Sequence, residues 1–136
     1  MIEVFCDGGA RGNPGPAAYG FVVKSSGRII KEDGGYIGVA TNNTAEYTAI
    51  VEALKWLAKN HSGSNLVFYL DSQLASSQLN GIFKVKNAKI RELIMAVRVL
   101  ESQFKGVIYK HIKREQNKEA DRLVNEALDE KSSIFE

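Results

Sequence analysis

Apolar residues recur along this chain with two different periods, and the switch between them sets the order of its elements. The run Ile2-Glu3-Val4-Phe5-Cys6 reads as a strand, and residues 19–24, 28–36, 66–70 and 107–112 read the same way. Ser25-Ser26-Gly27 is a hairpin turn, so the first three strands predict an antiparallel meander. The connection Gly8-Gly9-Ala10-Arg11-Gly12-Asn13-Pro14-Gly15-Pro16 reads as a tight glycine-rich turn. From residue 44 to 59 the period changes. Ala45, Ala49, Ile50, Ala53, Leu54 and Leu57 fall 3.6 residues apart, the spacing of a helix. A short helix is expected over 72–79, ended by Asn80-Gly81. A longer one is expected over 87–104, with Ile90, Leu93, Ile94 and Val97 inward, and a last one over 117–128, with Ala120, Leu123, Val124 and Ala127 inward. Strands first, then helices alternating with strands, predict an α/β fold: a mixed sheet covered by helices.

Composition narrows this picture. With 136 residues, 44% of them hydrophobic, the chain has material for one real core. Lys and Arg number 18 against 16 Asp and Glu, so net charge by itself does not indicate nucleic-acid binding. Distribution says more: Lys84, Lys86, Lys89 and Arg91 cluster, and so do Lys110, Lys113, Arg114, Lys118 and Arg122. Two solvated faces or a phosphate-contacting rim account for them equally well. The single cysteine, Cys6, forms no internal disulfide and is expected to be buried. No signal peptide opens the sequence and no apolar run approaches the roughly 20 residues of a membrane span, so a cytoplasmic protein is expected.

The chemistry lies in four acids: Asp7, Glu46, Asp71 and Asp121. Each has an ordinary explanation. Asp7 before Gly8-Gly9 suits a turn. Asn43-Thr44-Ala45-Glu46 fits a capping box with Asn43 as cap. Asp71 suits a helix cap, and Asp121 suits an exposed helical position. Together they suggest something else, because carboxylates gathered from scattered segments repel unless divalent cations lie between them. Two such ions make a phosphoryl-transfer site. Asn13, Thr41, Asn42, Asn43, Ser72 and Gln73 adjoin these acids, and amides and hydroxyls read sugar and base without adding charge. Glycines such as Gly8 allow a sugar-phosphate backbone to come close.

Four stretches carry a resemblance: Asp7-Gly8-Gly9-Ala10-Arg11-Gly12-Asn13-Pro14-Gly15, Thr41-Asn42-Asn43-Thr44-Ala45-Glu46, Asp71-Ser72-Gln73, and Arg114-Glu115-Gln116-Asn117-Lys118-Glu119-Ala120-Asp121. In this order they resemble the type 1 ribonucleases H, which cut the RNA strand of RNA–DNA hybrids. The resemblance implies a five-stranded mixed sheet with helices on both faces, a catalytic domain over 1–128 and a C-terminal tail over 129–136. It implies Asp7, Glu46, Asp71 and Asp121 as the catalytic, metal-binding carboxylates. The cofactor implied is two Mg²⁺ per site, with Mn²⁺ able to substitute, and the products are 5′-phosphate and 3′-hydroxyl ends. Asn13, Asn42, Asn43 and Gln73 match positions that contact the RNA strand, Thr41 one that holds a DNA-strand phosphate, and Ala10 one that contacts substrate through its main chain. Lys113 and Arg114 are placed to touch phosphate. The partner expected is an RNA–DNA hybrid, bound by a monomer with no obligate protein partner and no membrane.

The chain also departs from many bacterial members. They carry a histidine in a glycine-containing loop before the last helix. Here that connection is the short Lys113-Arg114-Glu115-Gln116, as in archaeal-like variants, and His111 falls in the predicted last strand. The tryptophan-bearing basic protrusion is reduced to Lys84, Lys86, Lys89 and Arg91, with Trp56 lying in the first long helix. No separate hybrid-binding domain is expected ahead of residue 2. For the tail, two arrangements fit: a frayed end, or one in which Phe135 docks. A DNA-junction nuclease on the same fold, a non-catalytic hybrid-binding module and a purely structural domain are the rival readings.

Overall fold

The computed structural model describes residues 1–82 and 84–134, with side chains to 132; Phe135 lies outside the described residues. Strands β1 (Ile2–Ala10), β2 (Gly15–Ser25) and β3 (Arg28–Ala40) are followed by helix α1 (Asn42–Asn60), strand β4 (Asn65–Leu70), helices α2 (Gln73–Leu79) and α3 (Ala88–Glu101), strand β5 (Gly106–His111), a single 3₁₀ turn (Arg114–Gln116) and helix α4 (Lys118–Ile134). The sheet has five strands in the order β3-β2-β1-β4-β5. The β1–β2 and β2–β3 pairs are antiparallel, and β1–β4 and β4–β5 are parallel. The mixed sheet expected from the sequence is the one observed.

Alternation along β1 divides the molecule into two layers of core, because successive strand residues point to opposite faces. Ile2, Val4 and Cys6 enter the larger core, with Tyr47, Ile50, Leu54 and Leu57 of α1, Leu66 and Phe68 of β4, Leu79 of α2 and Val97 of α3. On the other face a smaller cluster joins Ala18 of β2 to Val124 and Leu128 of α4. Helices therefore cover both faces, and β1, the middle strand, touches both layers.

Two glycines let the helices come close enough to matter for function. A Cβ on Gly8 would lie 2.2 Å from the carbonyl carbon of Ala45 and 2.3 Å from the amide nitrogen of Glu46, so α1 packs directly on the backbone of β1. Gly20 pairs with Asp7 across the β1–β2 ladder. A Cβ there would lie 2.7 Å from the carbonyl oxygen of Ala120 and 2.9 Å from Cβ of Leu123, so α4 packs as closely on β2.

Several elements differ from the sequence reading. Asp7 does not end β1. The strand runs on through Gly8 and Gly9 to Ala10, which pairs with Ala17, because the backbone ladder needs no side chains to continue. β3 extends past Tyr36 to Ala40, across a bulge opposite Ala17 and Ala18 near Gly38, whose φ is 88°. The N-cap of α1 is Thr41, not Asn43. Its hydroxyl accepts the Thr44 N–H at 3.2 Å, and Glu46 lies in the second turn, free of any capping duty. Ser72, not Asp71, caps α2, accepting the Ala75 N–H at 3.1 Å. α4 continues beyond Leu128 to Ile134, since Asp129-Glu130-Lys131 contains no helix breaker.

Candidate active site

Each of the four acids is placed by a different element. Asp7 sits within β1, Glu46 on α1, Asp71 just after β4, and Asp121 in the first turn of α4. The close packing at Gly8 brings α1, and with it Glu46, beside Asp7, and the packing at Gly20 brings α4 and Asp121 in on the other face. All four carboxylates line one cavity of about 300 Å³, together with Gly8, Gly9, Ala10, Arg11, Asn42, Arg114 and Asn125.

The electrostatics of this cavity are unfavourable for the protein alone. Asp7 is buried, and its pKa is pushed up to about 8, first by desolvation, then by the charge of Asp71 and by a hydrogen bond to, and the charge of, Asp121; the Gly8 N–H works the other way. The Asp7–Asp121 bond requires a proton on one of the two groups. Glu46 is raised to about 7, again by burial first, with a hydrogen bond from Ser72 lowering it and the Asp71 charge raising it. Ser72 thus both caps α2 and orients Glu46. Asn125 donates from Nδ2 to a carboxylate oxygen of Asp121 at 3.3 Å. Asn117, 1% exposed, donates from Nδ2 to the Cys6 carbonyl at 2.8 Å and to Oδ2 of Asp71 at 3.1 Å.

These raised values have a consequence for stability. A folded-state pKa above the unfolded one means that the folded chain holds protons the unfolded chain has released. Stability from these groups is full below the unfolded carboxylate range and is lost as pH rises through about 7 for Glu46 and about 8 for Asp7. The loss is about 1.4 kcal/mol per pH unit for each such group across that window. Thermal melts in chelator are expected to give a Tm about 10–20 °C lower at about pH 8.5 than at about pH 5.5, with the gap narrowed by excess Mg²⁺. A melting temperature that is flat or rising over that range would contradict the buried-carboxylate account.

The donor set suits a hard divalent cation: four carboxylates, with no thiol or imidazole lining the cavity. Among the described residues, no three acidic, histidine or cysteine side chains close around one point as a ready-made cage. Mg²⁺ does not require such a cage, since it keeps several waters and is held by one or two carboxylates plus substrate phosphate.

The proposed substrate-contacting residues fall into two groups. Gly8, Ala10, Asn42 and Arg114 line the cavity. Asn13, Thr41, Asn43, Gln73 and Lys113 do not line it. Asn13 and Asn42 knit the rim together: Oδ1 of Asn13 accepts the Asn42 N–H at 3.0 Å, and Oδ1 of Asn42 accepts the Ala10 N–H at 2.8 Å. Oδ1 of Asn43 is enclosed with no partner among the described residues. Gln73 is exposed in the first turn of α2, and Lys113 is exposed just before the 3₁₀ turn. Of the second basic cluster, Arg122 is taken up by Glu32 and Glu126, each at 2.8 Å; His111, outside it, is exposed at the end of β5.

Sequence reasoning assigned no site role to Arg11, Asn117 or Asn125, although the first two stand in the stretches that carry the resemblance. Arg11 lines the cavity and pairs with Asp129 of α4 across its rim. It reads from the sequence as one residue of a turn. Asn125 carries a helical signal, since it lies four positions after Asp121 on the same helix face.

A family model described as reverse transcriptase-like matches residues 5–127. A ribonuclease HI of Halobacterium salinarum is 40% identical over 130 residues, covering 95% of this chain and 65% of that protein. A bifunctional protein of Mycobacterium tuberculosis is 38% identical over 130 residues, covering 94% of this chain, which spans only 35% of that relative's length. Among solved structures, LC11-RNase H1 in complex with an RNA/DNA hybrid superimposes with a TM-score of 0.92 at 37% identity, covering 96% of this chain and 98% of that one. Among the described residues, no helix is long and apolar enough to cross a membrane.

Proposed function

Because this chain belongs to the ribonuclease H-like family, as a homologue of archaeal and mycobacterial members, we propose that it hydrolyses the RNA strand of RNA–DNA hybrids endonucleolytically, leaving 5′-phosphate and 3′-hydroxyl ends. The observation that carries this reading is the convergence of Asp7, Glu46, Asp71 and Asp121, from four elements, on one cavity. Kinship to a protein solved with an RNA/DNA hybrid supports the choice of substrate.

Asp7, Glu46, Asp71 and Asp121 would hold two Mg²⁺ ions, with Mn²⁺ as a substitute. Such ions, when bound, neutralise the phosphate, lower the pKa of a water and stabilise the leaving oxygen. The protein's own part is to keep four acids together at a cost that only cations and substrate relieve. Asp7 and Glu46 must give up their protons before they can act as ligands, so cation affinity rises with pH toward about 8. The amide side chain of Asn42 in the cavity lining, with Asn43 and Gln73, supports recognition of 2′-hydroxyls on the cut strand. Thr41, exposed at the N-cap of α1 with its hydroxyl bonded to Thr44, supports contact with a DNA-strand phosphate. Arg114 and Lys113 supply positive charge at the rim.

Incubation of a hybrid, duplex DNA and duplex RNA, each strand separately end-labelled, with Mg²⁺ tests the proposal. Cleavage confined to the RNA strand of the hybrid, and abolished by chelator, is the expected result. Preferential cutting of DNA would favour a junction-type nuclease on the same fold, and no cutting with retained hybrid binding would favour a binding module.

A further inference from the structure

We infer that Asn117 is a positioning residue for the carboxylate site, an inference that rests on the hydrolytic reading above. This residue touches the chain beside three of the four acids. Its Nδ2 donates to the carbonyl of Cys6, the residue before Asp7, at 2.8 Å, and to Oδ2 of Asp71 at 3.1 Å. Its own carbonyl accepts the Asp121 N–H at 3.1 Å. One buried side chain and its peptide thus tie β1, the end of β4 and the start of α4 to a single point.

The sheet explains why an amide is needed there. The parallel ladder between β1 and β4 ends at the Cys6–Leu70 pair. Asp71 leaves the sheet at that point, and the side chain of Asn117 meets the Cys6 carbonyl where the ladder stops. A two-donor amide satisfies this carbonyl with one N–H and fixes the carboxylate of Asp71 with the other. No hydroxyl or apolar group does both. Packing alone accounts poorly for the residue, because Oδ1 of Asn117 is buried without a partner among the described residues, a placement that costs free energy. Asp71 is like-charged to Asp7 and only partly buried. Without the amide it would swing away from its neighbour, and a cation would find the two groups too far apart.

The test titrates MgCl₂ into the parent chain, Asn117→Ala, Asn117→Ser and Val97→Ala. Two readouts are followed: the rise in Tm without substrate, and hybrid cleavage at saturating substrate. Asn117→Ala is expected to raise the half-maximal Mg²⁺ concentration about 10–100-fold in both readouts. Its KM for hybrid at saturating Mg²⁺ should stay within about twofold of the parent's. Asn117→Ser, which keeps one donor, should shift in the same direction by less. It decides the matter on the same criteria if Asn117→Ala does not fold. Val97, fully buried in the larger core, serves as the structural control, lowering Tm without moving the Mg²⁺ midpoint. An unchanged midpoint in the Asn117 variants, or one that Val97→Ala reproduces, overturns the inference. So does a parent chain whose Tm ignores Mg²⁺. A parent stabilised by Mg²⁺ that cleaves no hybrid overturns the proposed activity alone, and the Tm series then decides on Asn117.

Discussion

Asp7→Asn should lower Mg²⁺-dependent hybrid cleavage by at least about 10³-fold while making the metal-free protein more stable at alkaline pH. The two effects have one cause. Asp7 is buried beside Asp71 and Asp121, and that setting pushes its pKa up to about 8. Above that pH the folded chain must carry a desolvated charge among like charges, and an isosteric amide removes it. The amide also donates a hydrogen bond to Asp121 without needing a shared proton. In chelator at about pH 8.5 the variant's Tm should therefore exceed the parent's by several degrees, and the pH dependence described for the parent should flatten. A neutral amide is a poor ligand for Mg²⁺, and losing several kcal/mol of charge stabilisation in the transition state amounts to roughly three orders of magnitude in rate. Cleavage assays and thermal melts on one preparation check both halves. A variant with parental activity would remove Asp7 from the site, and one that is less stable at pH 8.5 would refute the electrostatic account of its burial.

The second large effect concerns geometry. Gly8→Ala places a methyl group 2.2–2.4 Å from three main-chain atoms of Ala45 and Glu46. Backbone in a helix cannot rotate out of the way as a side chain can, so α1 must move bodily off β1. Overpacking of this kind costs about 1–3 kcal/mol and sometimes more, which lowers Tm by on the order of 10 °C in a domain of this size. Glu46 moves with the helix, and under the proposed function a displacement of about 1 Å there is sufficient for a loss of roughly 10²-fold in kcat. Gly9→Ala is the comparison. Its methyl would meet Cγ1 of Val124 at 3.6 Å, an ordinary contact, so its Tm should stay near the parent's. Equal Tm losses in the two variants would show that glycine's backbone freedom, not the helix approach, governs this stretch.

Much of this was legible before any coordinates. The strands and helices announce themselves by period because each has one face in a core. Ile2, Val4 and Cys6 alternate, and Ala49, Ala53 and Leu57 recur, for that reason. What the pattern hides is any element built by backbone alone. Gly8 and Gly9 look like a break because they bury no side chain, yet they extend β1 past Asp7. The cap of α1 was misplaced at Asn43 for a related reason: Thr41, Asn42, Asn43 and Thr44 are all competent caps, and sequence alone does not show that Thr41 is the one that accepts the Thr44 N–H. The four acids were readable as an ordered set with their neighbours. Asn117 and Arg11 stand inside those stretches without a role that the sequence assigns, since their importance comes from what stands opposite them in space. For Asn117 that is the end of a ladder formed by residues far away in sequence, and for Arg11 it is Asp129 on the last helix.

Asp7 and Asp121, hydrogen-bonded across the cavity, stand near opposite ends of the chain, and the second arrives on the last helix. During translation the ribosome releases β1, α1 and β4 with their three acids before α4 exists to join them. A product that stops before α4 holds Asp7, Glu46 and Asp71 without Asp121, so under the proposed function hybrid cleavage is expected only from chains made through that helix.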